Sequence, residues 1–130
     1  KRSELGQIQR ILIQRHLSAT RQKIEYNQMK NKELQDFQKH HLNLEGEKKL
    51  IAKITRLLEA LISELQQLPE KTNQSTLLEH FKKCILNINY LENEIETVER
   101  EAIFEHIYTI GEIVGLDPTS EYADEWRGDW

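Results

Sequence analysis

The sequence contains one cysteine, two prolines and five isolated glycines. A single cysteine cannot form a disulfide within the chain, so the composition favours a reducing compartment and we expect a cytoplasmic protein. Because proline and glycine often end helices, their scarcity predicts long helices. The longest run of aliphatic residues, at 11–13, is far too short to cross a membrane, so we expect no membrane association.

Sequence motifs of common enzyme classes are missing. There is no glycine-rich phosphate loop, no Gly-x-Ser-x-Gly elbow and no zincin histidine pair. A di-iron helical bundle needs a glutamate three residues before a histidine, and none of the five histidines has one. His80 and Cys84 offer two metal ligands, which do not close a site. We therefore expect no enzyme activity and no catalytic, cofactor-binding or metal-binding residues.

Leucine and isoleucine, with 17 and 14 copies against two valines, follow helical spacing along most of the chain. This spacing predicts three long helices, over residues 3 to about 42, 47–68 and 78–114, with a turn at 43–46. Pro69 should end the second helix, whose apolar stripe is the clearest: Ile51, Ile54, Leu58, Leu61, Leu65 and Leu68. The predicted fold class is all-α, with these helices in an antiparallel bundle or coiled-coil-like arrangement and a short C-terminal aromatic helix or tail.

Local signals mark both ends of the third helix. Thr76 and Glu79 match the capping box that begins a helix. Gly111 and Gly115 lie four residues apart near the other end, where they indicate a helix end with a tight contact. Gly115 suits the residue just past the helix, and Pro118 reinforces the stop.

The charge is divided along the chain. Residues 1–56 hold thirteen Lys and Arg against six Asp and Glu, a net charge of +7, whereas residues 57–130 hold five against sixteen, a net charge of −11. The basic residues of the first helix either pair with the acidic residues of the third helix, or both sets form separate solvated faces. On such faces an ion pair contributes only ~0–1 kcal/mol.

Residues 117–130 combine five acidic residues with three aromatic ones, including both tryptophans. We interpret them as an acidic-aromatic C-terminal segment that follows a helical bundle over residues 1–116. Tyr122, Trp126 and Trp130 are spaced by four, which predicts three rings on one face of a short helix begun by Asp117 and Pro118. These rings would either bind a partner or fold back onto the bundle.

Together these features favour a non-catalytic helical protein–protein interaction module: a scaffold, adaptor or assembly subunit that acts through helix–helix contacts and can form a homodimer. Its candidate partner-binding residues are the C-terminal aromatics and charged residues of the first and third helices: Tyr122, Trp126, Trp130, Arg10, Arg21, Lys32, Glu94, Glu101 and Glu105. One alternative is nucleic-acid binding through the basic first helix, whose cations can neutralise phosphates. The other is a small acidic helical regulator or inhibitor that blocks a basic site on a target.

Overall fold

The computed structural model describes residues 29–69 and 71–130, and every regular element in these two stretches is helical. The elements in chain order are α1 (residues 29–40), α2 (Lys48–Gln67), α3 (Gln74–Ile88), a first 3₁₀ helix (Asn89–Glu94), α4 (Thr97–Ile113), a second 3₁₀ helix (Pro118–Ser120) and α5 (Tyr122–Trp126). The predicted all-α class is confirmed. The predicted first helix is covered only from residue 29 onwards, since residues 1–28 lie outside the described part.

The turn predicted at 43–46 is confirmed, because residues 41–47 separate α1 from α2. Gly46 has a φ of +146°, a conformation that L side chains rarely adopt. A Cβ atom at this position would also overlap the side chain of Glu99. Glu47 then begins α2, since its carboxylate accepts hydrogen bonds from the amides of Lys49 and Leu50.

α2 buries the apolar stripe that its sequence predicts. Ile54, Leu58 and Leu65 are fully buried, and each such side chain contributes about 1.5–3 kcal/mol when it leaves water. α2 ends at Gln67, two residues before Pro69, so the predicted end is confirmed.

α1 contacts both α2 and α4. Near its described start, Asn31 and Gln66 of α2 exchange hydrogen bonds between side-chain amides and backbone carbonyls, at 3.4 and 3.3 Å. Near its end, the Phe37 ring lies edge-on to the ring of His106 in α4, with the ring centroids 5.6 Å apart. These contacts position α1 beside α4, where the two helices border a groove.

The prediction of one continuous third helix is wrong. α3 ends at Ile88, and the first 3₁₀ helix separates it from α4. The consecutive three-residue steps from Ile85 to Ile88 to Leu91 shift the phase of the apolar stripe just where α3 gives way to the 3₁₀ helix. Glu96 is the N-cap of α4, and Glu99 in its first turn completes a capping box, because its carboxylate accepts a hydrogen bond from the Glu96 amide at 2.9 Å.

The capping box predicted at Thr76 and Glu79 is also wrong. The N-cap of α3 is Asn73, whose side-chain oxygen accepts the Thr76 amide at 2.8 Å. Asparagine is at least as good an N-cap as threonine, so the helix begins earlier than predicted and Thr76 lies in its first turn.

The end of α4 is as predicted. Gly115 has a φ of +94°, its amide donates to the Glu112 carbonyl at 3.1 Å, and the Leu116 amide donates to the Gly111 carbonyl at 2.8 Å. This pair of bonds forms a Schellman motif. The Tyr122 hydroxyl lies where a Cβ atom of Gly111 would be, which is the tight contact expected at this helix end.

The C-terminal segment begins as predicted but does not form one helix. Asp117 accepts the Thr119 amide at 2.9 Å and starts the second 3₁₀ helix at Pro118. Glu121 then adopts a left-handed conformation, and α5 ends at Trp126. Because Trp130 lies beyond the end of α5, the prediction of three rings on one face of a single helix is wrong.

Candidate interaction surfaces

Two of the three C-terminal aromatics are buried against their own chain. The Tyr122 ring lies edge-on to Phe81 and Tyr108, with centroid distances of 5.7 and 5.0 Å, and Trp130 stacks on Phe104 at 5.2 Å. Trp126 is half-buried beside Tyr122. A buried aromatic side chain removes ~150–250 Å² from water, so each of the two rings contributes roughly 4–6 kcal/mol before its entropy cost.

Asn89 holds the end of this segment in place. Its side-chain nitrogen donates to the Trp126 carbonyl at 2.9 Å, and its side-chain oxygen accepts from the Gly128 amide at 2.7 Å and from the Trp130 indole. Glu92 adds a hydrogen bond from the Asp129 amide at 3.0 Å. We call Asn89 and Glu92 together with residues 126–130 the C-terminal clasp.

No sequence pattern identifies Asn89 as a site residue. Asn89 lies inside the predicted third helix, where asparagine has a poor helix propensity. A residue of this kind in a helix indicates side-chain hydrogen bonds to groups outside the helix. The partners of Asn89 lie about forty residues further along the chain, and no local pattern predicts contacts at that separation.

The predicted charged residues that the structure describes do not come together. Arg10 and Arg21 lie outside the described part, and Lys32 is exposed on α1. Glu94 pairs with Lys53 of α2 at 3.9 Å, and Glu101 and Glu105 are exposed on α4. Within residues 29–69 and 71–130, no ion pair joins α1 to α4.

Lys30 binds the C-terminal end of α2. It is buried, and its Nζ donates to the carbonyls of Leu65 and Leu68 at 3.3 and 3.4 Å. The carbonyls at the end of a helix have few backbone donors and carry partial negative charge, which an ammonium group stabilises; at the end of α2, the Leu65 carbonyl otherwise accepts only from the Leu68 amide, at 3.2 Å. Burial lowers the pKa of Lys30 from its ordinary value.

Glu99 and His106 of α4 form hydrogen bonds with the turn between α1 and α2. The Glu99 carboxylate accepts the Glu47 amide at 3.0 Å as well as the Glu96 amide, and these backbone hydrogen bonds lower its pKa. His106 lies with Nδ1 2.7 Å from the Ala102 carbonyl oxygen, and with Nε2 3.1 Å from the His41 carbonyl oxygen and 3.3 Å from the Asn43 amide. Because a carbonyl oxygen can only accept, Nδ1 donates to Ala102, whereas Nε2 faces both an acceptor and a donor of the α1–α2 turn.

A polar cluster joins α2 to α3. Glu64 contacts His80 Nδ1 at 2.8 Å and Lys83 Nζ at 2.6 Å. Burial alone would raise the pKa of the Glu64 carboxyl, but the hydrogen bonds from Lys83 and His80 outweigh it and the pKa is lowered. Cys84 is buried beside this cluster, and burial raises the pKa of its thiol to about 12, which makes it a poor nucleophile.

A groove of about 610 Å³ lies between α1 and α4, within the ~300–1,000 Å³ range of binding clefts. Phe37, Thr109 and Ile113 form its less polar part. Its rim consists of charged and polar side chains at the end of α1: Lys32, Glu33, Gln35, Asp36, Lys39, His40 and His41. We call this set of residues the α1–α4 groove.

The rim of the α1–α4 groove presents two unpaired cations. Asp36 lies between two imidazoles, 3.7 Å from His40 Nε2 and 4.0 Å from His41 Nε2. Lys32 and Lys39 make no ion pair with any residue of the described part, and both are exposed. The groove therefore combines an apolar floor with ammonium groups that can contact a carboxylate.

Comparison with protein-family models, curated proteins and solved structures finds no match to this chain. None of the helices in the part of the chain that the structure covers is long and apolar enough to cross a bilayer. Among the same residues, no group of three or more His, Cys, Asp or Glu side chains is arranged to hold a metal ion. The function is therefore inferred from geometry and charge.

Proposed function

We propose that this chain is a non-catalytic helical protein–protein interaction module of the scaffold, adaptor or assembly-subunit kind, and that it acts in a reducing cytoplasm. The observation that carries the proposal is the α1–α4 groove, whose apolar floor and charged rim, with two lysines and two carboxylates, are suited to a segment of another protein. The buried ionisable side chains support this proposal, because Lys30, Glu99 and His106 all bind the chain's own backbone.

The groove selects for a partner segment with one apolar side chain and a nearby carboxylate. Phe37 and Ile113 would contact the apolar side chain, and removing its surface from water drives binding. Lys32 and Lys39 lie seven residues apart on α1, two helical turns, and would contact a carboxylate on either side of that anchor. The rim also carries the carboxylates of Glu33 and Asp36, so the partner's carboxylate must lie closer to the lysines than to these two groups.

Charge reversal on the rim tests the proposal. The double variant Lys32→Glu/Lys39→Glu should lose binding of a partner that wild-type protein captures from cells expressing the chain, because two attractive contacts become repulsive. A second double variant, Lys48→Glu/Lys71→Glu, makes the same change in net charge at exposed positions away from the groove. Binding should then be measured with the purified partner by calorimetry.

The two variants also separate specific from general charge effects. Loss of binding in the groove variant alone supports the groove. Equal losses in both variants would mean that only net charge matters, and unchanged binding in the groove variant would contradict the proposal. Far-ultraviolet circular dichroism of each variant confirms that the fold is intact, as expected for substitutions at exposed positions.

A further inference from the structure

Two histidines share one carboxylate at the end of α1. Asp36 lies 3.7 Å from His40 Nε2 and 4.0 Å from His41 Nε2, and the two imidazole rings lie 6.4 Å apart. All three side chains are more than half exposed, and all three line the α1–α4 groove. Because an imidazole is charged only when both of its nitrogens carry a proton, these two contacts are ion pairs only in the protonated state.

The backbone of His41 is held from two sides. Its amide donates to the Phe37 carbonyl of α1 at 2.8 Å, and its carbonyl oxygen lies 3.1 Å from Nε2 of the buried His106 in α4. The His41 ring also lies beside the ring of Phe37, with the ring centroids 6.2 Å apart. These contacts position His41 next to the apolar floor of the groove, where its charge acts on a bound segment.

The net charge of the groove rim depends on these two imidazoles. The other ionisable side chains of the rim balance, because two ammonium groups oppose two carboxylates: Lys32, Lys39, Glu33 and Asp36. Histidine is the side chain whose charge ordinarily changes between about pH 5 and 8. Protonation of His40 and His41 therefore takes the rim from a net charge of zero to +2.

Within the described residues, the elements beside α1 add no charge to the groove lining. α4 contributes only Thr109 and Ile113 to it. Glu105 and Glu112 lie one turn before and one turn after Thr109, and they are exposed outside the lining, as is Glu45 of the α1–α2 turn. The ring nitrogens of His106 face backbone groups. The histidines that can change the charge facing a ligand are thus His40 and His41.

We propose that His40 and His41 make the α1–α4 groove a pH-dependent site, which binds an acidic segment of another protein more tightly as the pH falls. This inference rests on the proposed function, since it concerns the regulation of the same groove. At high pH the Asp36 carboxylate repels a carboxylate of the partner. At low pH each imidazolium offsets Asp36 and adds a positive charge, so both effects attract the partner.

The expected change in affinity is modest because the rim is exposed. One exposed charge pair changes an affinity by at most about fivefold. The two imidazoles share Asp36 and repel each other when both are charged, so their effects add incompletely. Binding of a carboxylate should therefore tighten about three- to tenfold between pH 8 and pH 6, and added salt should reduce this difference.

A small carboxylate tests the inference without an identified partner. Hexanoate carries one apolar chain and one carboxylate that is ionised at both pH values, and hexanamide is its uncharged counterpart. Nitrogen–proton NMR spectra of the full chain would follow the amides of Thr109 and Ile113 during each titration. Hexanoate should bind about three- to tenfold more tightly at pH 6 than at pH 8, whereas hexanamide should bind equally at both.

Three variants assign the pH response to its residues. His40→Gln/His41→Gln should bind hexanoate at pH 6 no more tightly than the wild-type protein does at pH 8. The matched control His80→Gln removes a histidine that contacts Glu64 and lies outside the groove lining, so it should keep the full pH response. Asp36→Asn should tighten hexanoate binding at pH 8, because it removes the carboxylate that repels the probe.

Each contrary result overturns the inference. These results are equal hexanoate affinities at the two pH values, a pH response that survives in His40→Gln/His41→Gln, and the absence of any shift of the Thr109 and Ile113 amides at either pH. Failure of the proposed function is a different result: hexanoate binds with the expected pH response, but Lys32→Glu/Lys39→Glu leaves capture of the protein partner unchanged.

Discussion

Replacing Gly111 with alanine should destabilise this protein, although the same change inside an exposed helix normally stabilises by ~1 kcal/mol. The reason is the buried Tyr122 hydroxyl, which occupies the space that the new Cβ atom needs. Overpacking of a filled site costs ~1–3 kcal/mol. After the gain in helix propensity is subtracted, the expected net loss in the free energy of unfolding is about 0–2 kcal/mol.

Tyr122→Phe should relieve this conflict. The hydroxyl has no hydrogen-bond partner among the described residues, and such a buried group costs ~1–3 kcal/mol, so the single variant should be as stable as wild type or more stable. In Gly111→Ala/Tyr122→Phe the nearest ring carbon lies 3.3 Å from the new Cβ, a tight but tolerable contact. The two substitutions should therefore couple favourably by ~1–3 kcal/mol.

Gly115 provides the matched control for this cycle. No atom lies within 4 Å of a Cβ built there, but its φ of +94° penalises alanine through the backbone. Gly115→Ala should thus destabilise the protein, and Tyr122→Phe should not rescue it. Urea unfolding followed by circular dichroism measures all five variants. A coupling near zero for Gly111, or a stabilising Gly111→Ala, would refute the reasoning and with it the packing of Tyr122 against α4.

The other predictions concern the clasp, the turn and the thiol. Asn89→Ala should lower the free energy of unfolding by about 2–4 kcal/mol, since it removes three hydrogen bonds and leaves the buried Trp130 indole without its acceptor. Its tryptophan emission should also shift to longer wavelength. The control Asn87→Ala, at an exposed position, should change neither the free energy of unfolding nor the emission wavelength. The folded-state pKa of Glu99 lies below the ordinary value of 4.5. The contribution of its carboxylate to the free energy of unfolding should therefore be complete above pH 4.5 and decline as the pH falls through the lowered pKa. Glu99→Gln should therefore be less stable at pH 7 and show a weaker loss of stability in acid; an acid-unfolding profile identical to wild type would contradict this role. Cys84 should react with a thiol reagent at pH 8 only at the rate of opening or unfolding, and rapid stoichiometric labelling of the native protein would contradict its burial.

The parts of the fold that the sequence predicts are those with strong local signals. α2 is predictable because a long apolar stripe ends at Pro69, and the end of α4 is predictable because Gly115 has one clear role. The break after α3 is not, since Ile88, Leu91 and Ile95 continue an apolar pattern across it. The backbone leaves the helical conformation at Ile95 and Glu96, which are extended, and no local pattern in the sequence marks that position.

The candidate surfaces were only partly predictable for the same reason. Lys32 could be selected from charge alone, but the α1–α4 groove exists only because of where α1 ends relative to α4. Tyr122 and Trp130 were selected as aromatics, but their burial required the positions of Phe104 and Asn89.

Site-specific photo-crosslinking tests the central claim most directly. A benzophenone side chain at position 39, on the rim of the α1–α4 groove, should form a discrete covalent adduct with a protein partner in cells that express the chain. The same side chain in place of Ser63, which is exposed on α2, should not form it. An adduct from position 63 and none from position 39 would contradict the assignment of the groove as the contact surface.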